Sequence, residues 1–261
     1  MTQKIKCIEN PELIESLLQP ENLSALEHLL EENSKELKRL KKLKRKGEID
    51  FGKSFVESDI IEVFPKVMQD VDLFLGSDDV SVPACRYFTL LDAIYSYVPI
   101  HCPAYDYQFK MVEMRKLRKI QSIIALSHEY THHVQGERML FDGKMSSMFK
   151  EGHAMGVHTH MAKNYSEQEG NEAFLLYIHD LSVKQLKKTY NWMCKTKGEA
   201  EIQSLLKNVS SGKENKLSHL LFSREPTSHA LGNTIFSIAE LKHGPKIYKE
   251  TLNGNFNYLI S

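Results

Sequence analysis

Met114, Leu117, Ile120 and Ile124, followed by Leu126, Tyr130 and Val134, place apolar residues at helical intervals along one stretch of the chain. A strand would alternate with period two, so this spacing predicts a helix, and Gly136 offers a stop for it. That helix carries "ALSHEYTHHVQG", residues 125–136, with histidines at 128, 132 and 133 and a glutamate at 129. Residues four apart stack on one face of a helix. His128 and His132 can therefore present ring nitrogens to one ion, with Glu129 one step round beside it. The competing reading is a polar helix face bearing surface histidines, and the rest of the chain has to choose.

The arrangement is H-E-x-x-H, and a catalytic zinc ion takes three protein ligands and keeps a fourth position for water. A third ligand should come from a separate segment folded back against the first helix. Glu151, His153, His158 and His160 are the candidates. The longer pattern H-E-x-x-H-x-x-G-x-x-H fails, because Gln135 and Arg138 stand where its glycine and last histidine would be.

Glu151 lies within "FKEGHAMGV", with 18 residues between it and His132. H-E-x-x-H, that interval and then Glu-Gly-x-Ala resemble the gluzincin branch of zinc metallopeptidases. "TSHALGNTIFSIAELKHGPKIYKETL", residues 227–252, is similar to the carboxyl region of that group, and chain order agrees from about residue 90 to 252. Within the clan the chain looks most like small cytosolic predicted zinc proteases of bacteria.

The resemblance implies a zincin-like, two-lobed α+β fold, mostly α. A small sheet and the active-site helix would form the upper lobe, with helices below. It implies one catalytic Zn²⁺ held by His128, His132 and Glu151, with Glu129 as general base and His229 as donor to the oxyanion. Zinc so held lowers the pKa of water toward about 7, which lets a neighbouring carboxylate take its proton. In some gluzincins an Asp four residues after the ligand glutamate orients a zinc-bound histidine. Met155 occupies that position here, so another group must do so, and His158 is one candidate. His229 also has a plainer reading, as a helix-start residue assisting a cap beside Thr227 and Ser228. No role is expected for His133, and His153 reads as a cleft or core residue.

Elsewhere the pattern marks a helical segment, 1–50, and the resemblance implies a metallopeptidase domain over 51–261. Within that domain, 51–140 should hold the sheet and the H-E-x-x-H helix, and 141–261 a helical lobe. Leu23, Leu26, Leu30, Leu37, Leu40 and Leu43 recur at helical intervals from Pro11 to about Lys46, and Gly47 closes the segment. "KELKRLKKLKRKGE" reads as the solvated face of a helix whose leucines pack inward. Between Phe51 and Asp106, "VDLFLG", "ACRYFTLLDA" and "IYSYVPIHCPAYD" predict short strands, with "AIYSYVPI" as a candidate sheet edge for an extended substrate. A glycine-bearing turn is expected at "FDGK". Helices follow over 148–163, 171–192, 200–207 and 228–241, with "NVSSGKENK" as an exposed loop.

The 34 basic and 34 acidic residues cancel, so the net field gives no push toward nucleic acid or an anionic membrane. The expected partner is a peptide or protein substrate. The amino terminus lacks a secretory pattern, and no stretch approaches the roughly 18 apolar residues of a membrane span. Cys7, Cys85, Cys102 and Cys194 show no C-x-x-C spacing and fit reduced thiols. A soluble cytoplasmic protein is expected. Two alternatives to a peptidase stand: a non-catalytic, zinc-containing peptide-binding or regulatory protein, and a deformylase. An intact Glu129 argues against the first, since binding metal does not require it. The deformylase reading lacks that family's Gly-rich and Glu-Gly-Cys segments.

Overall fold

The amphipathic amino-terminal segment forms two helices, α1 (Asn10–Leu17) and α2 (Pro20–Arg45), in a computed structural model that describes residues 10–88, 103–138, 146–196, 199–210 and 226–259. Leu26, Leu37 and Leu40 are buried while Lys38, Arg39, Lys41 and Lys42 are exposed, so the basic run is a solvated face. Gly47 follows with φ +76°, a left-handed conformation that glycine adopts without steric cost.

The next helix, α3 (Glu57–Leu75), corrects one expectation. "VDLFLG" was expected to be a strand, yet it is the last turn of α3 and its glycine stop. Ile60, Phe64, Val67, Val71 and Leu75 fall three or four apart and are all buried, and this helical stripe outweighs the local β-branched composition. Gly76 ends the helix at φ +66°.

Strands β1 (Ala84–Phe88), β2 (Ala104–Asp106) and β3 (Met111–Arg115) make one sheet in the order β1-β3-β2. β1 runs parallel to β3, with Cys85 opposite Val112, and β2 runs antiparallel to it, with Tyr105 opposite Val112. Met114 therefore lies on a strand and not on the helix, which starts five residues later. The helical period begins at Ile120. "AIYSYVPI", the "FDGK" turn and most of "NVSSGKENK" lie outside the described residues.

The remaining helices are α4 (Lys119–Arg138), α5 (Ser146–Glu169), α6 (Ala173–Met193), α7 (Glu199–Ser210), α8 (Ser228–His243) and α9 (Lys246–Leu252), before a short 3-10 turn, Asn257–Leu259. Helix with a three-stranded sheet makes the chain α+β, mostly α. Gly136 does not stop α4, which runs on to Arg138; a Cβ there would meet the Tyr107 ring at 3.5 Å, an ordinary van der Waals contact. No helix among the described residues is long and apolar enough to cross a membrane.

The chain divides into two compact units. One comprises residues 40–139 and 157–178, where α4 packs on α3, β2 and β3. Tyr165 donates to Asp70 at 2.6 Å, and Lys119 pairs with Glu169 at 2.7 Å. The other comprises 1–39, 140–156 and 179–261, with α1 on α7 and α8 on α9. Its core includes Phe236 stacked on Tyr248, with ring centres 5.7 Å apart.

Candidate metal centre

An amphipathic surface helix buries one stripe, but α4 buries residues around its whole circumference, polar ones included. Each buried polar group then needs a partner. Ser127 donates to the Ile123 carbonyl at 2.9 Å and Thr131 to that of Ser127 at 2.7 Å. Tyr130 donates to both carboxylate oxygens of Asp72, at 2.9 and 3.0 Å, and burial together with that carboxylate pushes its phenol far above the usual tyrosine range. A helix carrying so many satisfied polar groups inward is held in a fixed rotation.

That rotation sorts the three histidines. His133 is fully buried, with Nε2 2.6 Å from the Ser81 carbonyl and Nδ1 2.8 Å from the Tyr105 hydroxyl. The carbonyl can only accept, so Nε2 carries the proton and Nδ1 accepts from Tyr105. Both nitrogens are thus committed to the protein, in line with the absence of an expected role. Burial lowers the His133 pKa and raises that of Tyr105 to about 12.

His128 and His132 turn toward one another. Their rings meet edge to face with centres 4.7 Å apart, and the two Nε2 atoms are separated by 3.1 Å. His132 Nδ1 lies 2.9 Å from Oε1 of the buried Gln135. Glu129, one residue round from His128, is only 7% exposed. On the rim, the Tyr107 ring is 6.3 Å from that of His132 and is 45% exposed.

The four third-ligand candidates all stand on α5 and part company there. His153 is buried with Nε2 2.9 Å from the Tyr248 carbonyl, which makes it a core residue. His160 stacks on Phe74, with ring centres 4.7 Å apart. His158 is buried, its ring 5.3 Å from that of His128. Glu151 is seven residues before His158, two turns along the same side of one uninterrupted helix. His128, His132 and Glu151 are the one group among the described residues placed to hold a metal ion, each offering a ligand atom within 4.8 Å of the others.

Two nitrogens bound to one zinc at about 2.0–2.1 Å in a tetrahedron stand about 3.3 Å apart, so the observed 3.1 Å fits a shared ion. Two imidazoles and a carboxylate suit zinc, and three protein ligands leave one position for water or substrate.

Glu151 has a partner of its own. Its Oε2 lies 3.0 Å from His229 Nε2, with side-chain exposures of 19% and 46%. His229 is in the first turn of α8, whose cap is Thr227, the side chain accepting from the Ala230 amide at 3.3 Å. His229 itself stands in ion-pair geometry with Glu151. What permits it is a glycine on each helix. A Cβ on Gly232 would lie 2.7 Å from the Gly152 nitrogen and 2.8 Å from its Cα, so the two backbones touch one residue after Glu151 and three after His229. Burial also lowers the Lys150 pKa, against the pull of the Glu151 carboxylate.

Sequence reasoning singled out His128, Glu129, His132, Glu151 and His229, but not the Gln135 contact or the glycine crossing. Position alone hinted at the former: three residues after a ligand histidine, a side chain shares its helix face. Comparison of the chain with protein-family models, with curated proteins and with solved structures finds no match.

Proposed function

We propose that this protein is a zinc-dependent peptidase of gluzincin type, with His128, His132 and Glu151 as zinc ligands. The observation that carries the reading is the pair of Nε2 atoms 3.1 Å apart with the Glu151 carboxylate beside them and buried Glu129 one step round α4. Bound zinc would supply a Lewis acid that polarises a carbonyl and lowers the pKa of water to about 7.

Glu129 takes a proton from the attacking water, whose oxygen adds to the peptide carbonyl carbon. As the C–N bond breaks, Glu129 returns that proton to the amine nitrogen. Its burial keeps the carboxylate close to the reacting atoms and away from bulk solvent. His229 carries an N–H aimed at the ligand carboxylate, and we assign it the substrate oxyanion as its partner during turnover. An extended peptide suits the neighbourhood: β2 is at the sheet edge among the described residues, packs on α4, and leads directly into Tyr107. The two-lobed zincin arrangement belongs to the same proposal, as does a cytoplasmic setting, which the free thiols Cys85 and Cys194 support.

The test compares the parent with Glu129→Gln for zinc content and for cleavage of a broad peptide library. Equal zinc and a loss of cleavage of about 10³-fold support the enzyme. A parent that holds zinc and cleaves nothing favours the alternative, a peptide-binding or regulatory protein, and a parent that cannot take up zinc removes both.

A further inference from the structure

We propose that Gln135 is a positioning residue for the metal centre, fixing which nitrogen of His132 carries the proton. The proposal rests on the metal reading above and adds to it a group outside the ligand set.

A neutral imidazole carries one proton on one of two nitrogens, and only the bare nitrogen can bind a metal. Nothing in the covalent structure forces that choice. The environment forces it here: Gln135 Oε1, an acceptor, stands 2.9 Å from Nδ1, on the side of the ring opposite the His128 contact. Placing the proton on Nδ1 satisfies the amide oxygen and leaves Nε2 as a lone pair directed at His128 Nε2. The opposite tautomer would set a buried amide oxygen against a bare nitrogen and place the proton on Nε2, where no metal could then bind.

Helix geometry makes the contact rigid. Residues three apart are neighbours on one face, so Gln135 reaches His132 without crossing between elements. Complete burial removes competing water, which strengthens the bond and restricts the amide to its present orientation.

The experiment measures Zn²⁺ affinity of the metal-free protein by competition with a chelating dye for the parent, Gln135→Met and Gln135→Glu. Met keeps about the same volume but cannot accept the bond; Glu keeps the acceptor. Gln135→Met is expected to bind Zn²⁺ about 10- to 100-fold more weakly, with Gln135→Glu at least as tight as the parent. Equal affinities for the parent and Gln135→Met would overturn the proposal, as would weakening of both variants alike. A second measurement needs no variant: nitrogen-15 spectra of the metal-free parent should show His132 protonated at Nδ1, and a dominant Nε2–H form would overturn the proposal. A parent with no Zn²⁺ affinity would instead defeat the proposed function, so the two failures are distinct.

Discussion

Replacing Gly232 with alanine sets two known effects against each other at the helix crossing beside the metal group. Alanine is the better helix former by about 1 kcal/mol, so on an exposed face the change would stabilise. At Gly232 the added Cβ would clash first with the Met148 carbonyl oxygen and would fall 2.7 Å from the Gly152 nitrogen and 2.8 Å from its Cα, where carbon contacts settle at about 3.5–4.0 Å. The neighbours are helix backbone, with no rotamer to give way, so α5 and α8 must part by more than roughly 1 Å. Overpacking of this kind costs about 1–3 kcal/mol, and the separation also loosens the surrounding core, so the upper end applies. After the propensity gain, a net loss of about 2 kcal/mol is expected. For a chain of this length that lowers Tm by about 4–8 °C. Gly152→Ala should behave alike, and the double variant should lose less than the sum, since the first methyl has already opened the gap. Thermal unfolding in the presence of a metal chelator reads this directly. A Gly232→Ala protein that melts at or above the parent would show that propensity wins and that the backbones are not in contact. Zn²⁺ affinity should fall with Tm, because Glu151 and His229 meet at this crossing.

Other outcomes follow from the same contacts. Glu151→Ala and His132→Ala should each abolish tight Zn²⁺ uptake, measurable by metal analysis after dialysis, whereas His153→Gln should leave uptake intact and act on stability alone. Tyr130→Phe removes the hydroxyl that serves the Asp72 carboxylate and should cost about 1–3 kcal/mol in denaturant unfolding, at unchanged metal content. Stability should also fall in alkali. Burial and neighbouring carboxylates raise the pKa of Tyr130, Tyr165 and Tyr248 in the folded state, so above about pH 10 the unfolded chain releases protons that the folded one retains. Their contribution is complete below about pH 10 and declines above it by up to about 1.4 kcal/mol per pH unit for each tyrosine, and Tyr165→Phe should flatten that decline. Finally, Gly76→Ala forces a side chain into a left-handed helix stop and should cost about 1 kcal/mol.

Readings that rest on local periodicity agree with the structure where they follow a long pattern. The helix over His128 to His132, the inward leucines of α2, the Gly47 stop and the helices around Glu151 and His229 were all legible. Short apolar words were not. "VDLFLG" has a strand's composition, and only the stripe from Ile60 to Leu75 shows that it finishes a helix. Met114 fits the helical spacing of its successors by one step, yet its neighbours pair with β1. Gly136 looks like a stop, yet α4 runs two residues past it. The partnership of Glu151 with His229 was beyond sequence reasoning. It depends on how closely α5 and α8 approach, and one sequence does not reveal which of its 13 glycines face each other.

The burial of α4 around its full circumference bears on how such a chain can change over time. A helix with a wet face absorbs substitutions there at little cost, and α2, with its row of exposed lysines, has that latitude. From Ser122 to Gln135 nearly every side chain is enclosed, so drift in this stretch requires a compensating change in a neighbour. A saturation library should therefore find the central turns of α4 the least forgiving stretch of the protein, at positions remote from any metal as much as at the histidines themselves.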